Sequence, residues 1–299
     1  YGLVKVILPK NSNLYCRFCW NYVRINLKYV CVVDGYFFNI NPDRLRLFSR
    51  ICFPGHRQYI QEGLFMIRTV ENQFLRISVS DHGAELSSVY DKVHDREVLW
   101  QADPAYWKRH APVLFPNVGR NYKDTWRLNG KEFPSRQHGF ARDSEFICTD
   151  ITEASVTHIL KASDSSREVY PFDFTLKITH SLHENTINVC WEIENDSDDT
   201  MYFTIGAHPA FQVPVREGEA QSDYHLSFED QDSLTYILLD PASGTAVPDK
   251  TYDLVLKDGI CDIGAHMFDQ DALVFGDGQI QKASLLFPDG IPYITVTCP

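Results

Sequence analysis

The chain has 299 residues, 44% of them hydrophobic, which is enough for a sizeable core in one large or two ordinary domains and excludes a globally disordered polymer. Its formal net charge of −12 excludes a general nucleic-acid partner, because binding phosphates needs a basic surface that displaces counterions. Small neutral or locally steered ligands fit this charge better.

Residues 1–65 differ in composition from the rest of the chain. They hold nine Lys and Arg against Asp34, Asp43 and Glu62, a net of +6 that leaves −18 for the remainder, and 13 of the 39 aromatic residues. Apolar clusters such as Tyr29 to Val33 stop well short of the ~18 apolar residues of a membrane span, and no signal-peptide pattern opens the chain. Four of the eight cysteines, Cys16, Cys19, Cys31 and Cys52, also lie here. Cys16-x-x-Cys19 has zinc-like spacing, but no second close pair accompanies it, so no metal is expected. Cys148, Cys190, Cys261 and Cys298 stand alone and read as reduced thiols of a cytoplasmic protein. The shift in composition predicts a domain of residues 66–299 behind an unrelated extension, residues 1–65, that is disordered or a spurious upstream translation.

From Met66 onward the pattern is all-β. Leu75, Ile77 and Val79 alternate with Arg76 and Ser78, which makes one dry and one wet face. Phe172 to Thr179 and Ile187 to Glu194 alternate in the same way and predict a hairpin across His183-Glu184-Asn185. Shorter strands are predicted at Val156 to Leu160, Tyr202 to Ile205, Tyr224 to Phe228, Tyr236 to Leu239, Leu254 to Leu256, Ala272 to Phe275, Ser284 to Phe287 and Tyr293 to Val296. Almost nothing reads as helix. Many strands with one apolar face each require a sandwich or barrel.

Two polar loops interrupt this pattern. His110 to Arg142 carries three prolines and three glycines, which exclude a long helix. It contains His110 and His138 and the cations Arg120, Lys123, Arg127, Arg136 and Arg142. Gly206-Ala207-His208-Pro209-Ala210-Phe211 places a further histidine between bending residues. No nucleophile elbow, phosphate loop or dinucleotide glycine pattern is present, so no cofactor is expected. His180 and His183 have metal-like spacing, but on a strand they point to opposite faces and read better as a turn pair.

Pro116-Asn117-Val118-Gly119-Arg120, Gln137-His138-Gly139-Phe140-Ala141-Arg142 and Gly206 to Phe211, in this order, resemble the aldose 1-epimerase (galactose mutarotase-like) family. The likeness covers residues 66 to 299 and is nearest the bacterial branch with His-Gly-Phe-Ala-Arg, some of whose members act on hexose 6-phosphates. It implies a large twisted β-sandwich and an isomerase that exchanges the α and β anomers of a hexose or hexose 6-phosphate without metal or cofactor. It also implies roles. His208 matches the general acid at the ring oxygen, and His138 the histidine that holds and polarises the sugar. Arg120 and Asp271 match groups that bind hydroxyls, with Arg142 a further substrate-binding candidate and His110 ranked beside it as a supporting or surface residue.

This chemistry suits histidine. Ring opening needs a base at the C1 hydroxyl and an acid at the ring oxygen, and imidazole, with an unperturbed pKa of ~6.5, exchanges protons near neutral pH. The family's base is a glutamate beyond the strand around Tyr293 to Val296, whereas no glutamate follows Glu229. The sandwich is therefore expected to be C-terminally incomplete and the chain weakly active or inactive, a reading frame with displaced ends. The alternatives are a non-catalytic carbohydrate-binding or sugar-sensing domain and a glycoside-hydrolase accessory sandwich. On this reading, intact mass of the protein expressed from its own locus gives a product that begins at Met66. A product that retains most of residues 1–65 contradicts it.

Overall fold

A computed structural model describes residues 66–229 and 231–298, together with the backbone of five short strands before residue 66. The fold is all-β. Its largest sheet has nine strands, among which Phe174–His183 pairs along its whole length with Thr186–Asn195, Phe174 opposite Asn195 and His183 opposite Thr186. The two-residue turn Glu184–Asn185 closes this hairpin with Glu184 at φ +52°, a left-handed position that suits a tight turn. Along Phe174–His183 every second residue is buried, as the alternation predicts.

The rest of the large sheet extends from both sides of this hairpin. Ser155–Lys161 and Ile147–Ile151 add antiparallel strands on one side. On the other, Pro292–Thr297, Lys282–Leu286, His225–Ser227 and Ile260–Asp262 complete the order. A second sheet, Ile67–Glu71, Leu75–Ser80, Leu86–Asp91 and Arg96–Glu97, contributes Leu75, Ile77, Val79, Leu86 and Val89 to one continuous core shared with Val156, Leu176, Ile178 and Ile187. Each such side chain contributes about 1.5–3 kcal/mol when fully buried. A third sheet carries Leu273–Phe275, Ser233–Leu239 and Ala246–Val255, together with Val4–Val6.

Two expectations are revised. Val23–Asn26 lies between Thr186–Asn195 and Pro292–Thr297 and pairs with both, so part of the leading segment joins the large sheet instead of standing outside it. The two flanking strands would otherwise present unpaired backbone groups, which Val-Arg-Ile-Asn satisfies. The Cys16-x-x-Cys19 side chains lie outside the described residues. Tyr202 to Ile205 is not a strand: Tyr202 and Phe203 are exposed, and the Thr204 amide donates to the Pro116 carbonyl of a loop. One short helix, Asp164–Val169, is in keeping with a sequence in which almost nothing reads as helix. A capping box starts it, with the Ser163 hydroxyl accepting from the Ser166 amide and the Ser166 hydroxyl from the Ser163 amide. Cys148, Cys190, Cys261 and Cys298 are free thiols. Among the described residues, no helix is long and apolar enough to cross a membrane.

Behind the core lies a polar cluster that makes the fold acid-sensitive. Arg68 grips Asp81 with two nitrogens at 3.0 and 2.8 Å, and buried His158 meets the same carboxylate at 3.0 Å through Nε2. Burial raises the Asp81 pKa, but the Arg68 and His158 contacts outweigh it and hold the group below the usual carboxylate range. His180, on the neighbouring strand, is pushed down to about 3 by complete burial and by His158. A histidine neutral in the fold but titrating near 6.5 when unfolded costs no stability above pH 6.5 and destabilises progressively between pH 6.5 and 3. Thermal melts from pH 7.5 to 4.5 should show a loss equivalent to about 2–3 kcal/mol from this group, shrinking in His180→Leu. An unchanged slope in His180→Leu contradicts the assignment.

Candidate active site

One short run of chain, Pro112 to Pro116, carries both histidine loops. Val113–Leu114 pairs antiparallel with Gly206–Ala207, so the following His208 amide donates to the Pro112 carbonyl at 3.1 Å. Ala210 closes the loop by donating to His110 O at 2.9 Å. Phe115 also bridges in parallel to Gly139, and its carbonyl accepts from Phe140 and Ala141 at 3.0 and 3.1 Å. His138 and His208, seventy residues apart in sequence, thereby bring their rings to 5.5 Å between centroids at 64°. Both are buried.

The approach of the two segments depends on Gly139. It sits at φ +69°, and an added Cβ would lie 2.2 Å from the Phe115 oxygen, far inside contact distance. His138 itself is held at φ +67°, a conformation costing about 1–3 kcal/mol for a residue other than glycine. Such strain persists only where the surroundings enforce it. Here the His138 amide donates to Gly119 O at 2.8 Å, while the Gly119 amide donates to His138 Nδ1 at 3.0 Å.

The second of these contacts fixes the chemistry of the ring. A nitrogen that accepts an N–H carries no proton, so neutral His138 holds its proton on Nε2 and presents a donor there. Asn117 secures the arrangement, its Nδ2 donating to Gly119 O at 3.1 Å and to Arg136 O at 3.2 Å. On the His208 side, Trp107 packs against the ring with centroids 5.3 Å apart and planes at 40°. Glu85, itself buried, accepts from the His110 and Ala111 amides at 2.6 and 3.0 Å and so anchors the run just before Pro112. The sequence reading gives no role to Trp107, Glu85 or Asn117, although Asn117 falls inside the Pro116 to Arg120 motif and Trp107, a tryptophan in a polar stretch, offers a further signal.

The other candidates are placed differently. Arg120 is exposed and forms a two-pronged pair with Asp124 at 2.6 and 2.9 Å. The loop at Gly244 comes close to its side chain. Arg142 is half-buried, with Nη2 donating to Gln137 O at 2.8 Å and Nε 3.8 Å from Asp143, which Arg109 also binds. Burial and the neighbouring Arg109 lower the Arg142 pKa from its ordinary value. Asp271 is exposed on a turn, at φ +73°, where its amide donates to Phe268 O at 3.2 Å, well away in the chain from either histidine loop. Arg127 pairs with Glu132, and Lys123 lies over the Tyr122 ring at 5.3 Å. A cleft of about 620 Å³ is lined by Pro116, Asn117 and Gly139 from this loop system but by neither histidine.

The structure is an all-β sandwich that holds one histidine in a fixed tautomer beside a second from a distant loop. A sequence profile of the family described as aldose 1-epimerase matches residues 66–258. The chain is 34% identical over 211 residues to the chromosomal LacX protein of Lactococcus lactis subsp. lactis, covering 68% of this chain and 70% of that one. A galactose mutarotase related enzyme from Lactobacillus acidophilus superposes with a TM-score of 0.70 at 31% identity, over 77% of this chain and 84% of that one. A galactose mutarotase-like protein from Lactobacillus casei ATCC 334 gives 0.68 at 26% identity, over 77% and 86%. This chain belongs to the aldose 1-epimerase family.

Two glycines test the close approach. Gly139→Ala meets both an unfavourable φ and a clash with the Phe115 backbone and should destabilise by at least about 3 kcal/mol in denaturant unfolding. Gly130 has a similar φ of +81° but open space around it, so Gly130→Ala should lose only about 1–2 kcal/mol. Equal losses contradict the packing role of Gly139.

Proposed function

We propose that this protein interconverts the α and β anomers of a hexose or hexose 6-phosphate by acid/base opening of the ring. The observation that carries the reading is the His138–His208 pair, 5.5 Å apart, with His138 Nδ1 occupied by the Gly119 amide. His208 supplies the proton to the ring oxygen. His138 donates through Nε2 to a sugar oxygen and polarises it, so the two rings act on different atoms of one ligand. Arg120 and Asp271 bind hydroxyls once the sugar displaces their present surroundings. Arg142, held by Gln137 O, keeps the His138 loop in shape or reaches an anionic substituent. The protein acts as a cytoplasmic isomerase of carbohydrate metabolism, and the family match covers residues 66–258.

Removal of the C1 proton needs a base on the opposite side of the ring from His208. A second reading is a non-catalytic carbohydrate-binding or sugar-sensing protein, which holds the sugar without turning it over. NMR exchange spectroscopy separates them, since a binder shifts sugar resonances without speeding exchange.

Polarimetry of freshly dissolved α-glucose, α-galactose and glucose 6-phosphate supplies the main test. The wild-type chain should speed mutarotation of one of them. His208→Asn should lower that acceleration by a factor of ~10²–10⁴ or to the uncatalysed rate, with the circular dichroism spectrum unchanged. His138→Asn should weaken both binding and rate. Undiminished acceleration in His208→Asn rules out the assigned acid.

A further inference from the structure

We propose that the 620 Å³ cleft beside the His138 loop is a second binding site, for a small organic anion that carries a flat ring, separate from the histidine pair. Its volume falls within the ~300–1,000 Å³ of small-molecule sites. Trp126, Phe140, Tyr170 and Phe203 supply aromatic walls, and Tyr170 stands 5.8 Å from Trp126 and 6.3 Å from Phe140, so the rings form one connected surface. Their polar ends are satisfied elsewhere: Trp126 Nε1 donates to Val169 O at 2.9 Å and the Tyr170 hydroxyl to Tyr202 O at 2.9 Å. The ring faces therefore have no polar duty.

Charge decides which ligand fits. The chain carries 40 Asp and Glu, yet none of those among the described residues lines this cleft, whereas Arg136 and Lys161 both do. Among the described residues, Arg68, Arg96, Arg109, Arg120, Arg127, Arg142, Arg167 and Arg216 each have a carboxylate within 4.0 Å, and Arg76 lies over the Tyr90 ring. The Arg136 guanidinium has neither kind of partner among them. Two unmatched cations at an aromatic cleft of an acidic protein complement a ring with a phosphate or carboxylate group, and a dianion most of all. Ring stacking and charge pairing would then act on opposite ends of one molecule.

Titration calorimetry of the whole chain at low salt, with phenyl phosphate, phenol and inorganic phosphate as probes, tests this directly. Phenyl phosphate should bind with one-to-one stoichiometry and at least about tenfold more tightly than either fragment. Arg136→Gln and Lys161→Gln should each weaken it about tenfold, and added salt should weaken it further. Phe203→Ala should weaken it as well, and because all three side chains are exposed, none of these variants threatens the fold. The proposal is overturned if phenyl phosphate fails to bind, if phenol binds equally well, or if Arg136→Gln leaves affinity unchanged. Binding that survives Arg136→Gln but disappears in His208→Asn also overturns it, by placing the anion at the histidine pair. Neither result depends on whether the protein exchanges anomers.

Discussion

The carbonyl of Phe115 is the contact on which the site depends. Accepting from Phe140 and Ala141 while Gly139 runs beside it, this oxygen draws the His138 loop against the same short segment that pairs with Gly206–Ala207. Only a residue without a Cβ can pass there. Backbone pairing on two flanks thus converts a separation of seventy residues into a ring separation of 5.5 Å, and the sandwich core beneath, with Phe115 fully buried, keeps the segment rigid. The two histidines sit on loops, but their loops are held by a scaffold.

Electrostatics around this contact is largely internal. Arg120 is taken by Asp124, Arg127 by Glu132, and Arg109 and Arg142 by Asp143. Most of the cation cluster in the sequence therefore reads as charge balance more than as a ready phosphate site, and Arg136 is its one arginine without a carboxylate partner among the described residues. Exposed pairs of this kind are worth at most about 1 kcal/mol, so a substrate that offers better geometry could recruit Arg120 at small cost. The His138 ring is different, because its orientation is set by backbone groups that do not rearrange.

Alternation made the sandwich legible. Phe174–His183 and Thr186–Asn195 pair over ten residues with one face turned to the core, and a one-residue slip would expose the whole set, so pattern alone specifies pairing and turn. Motif order singles out two histidines whose rings the structure brings together. What stayed hidden has local causes. Tyr202 to Ile205 alternates like a strand, yet its partners are a carbonyl at Pro116 and an amide at Val118 rather than a ladder. Helix Asp164–Val169 relies on a serine at the position where glutamate usually signals a capping box. Val23–Asn26 enters the large sheet by backbone pairing, which composition does not reveal. Glu85 acts through backbone amides that no sequence pattern displays.

The state of the His138 ring is the most direct thing to measure. Long-range proton–nitrogen NMR of the histidine side chains, with His138→Asn to assign its signals, reports which nitrogen carries the proton. At neutral pH His138 should show an unprotonated Nδ1 and a protonated Nε2, and Asn117→Ala should loosen this preference through Gly119. A ring protonated on Nδ1, or charged on both nitrogens at neutral pH, would contradict the hydrogen bond on which the proposed chemistry rests.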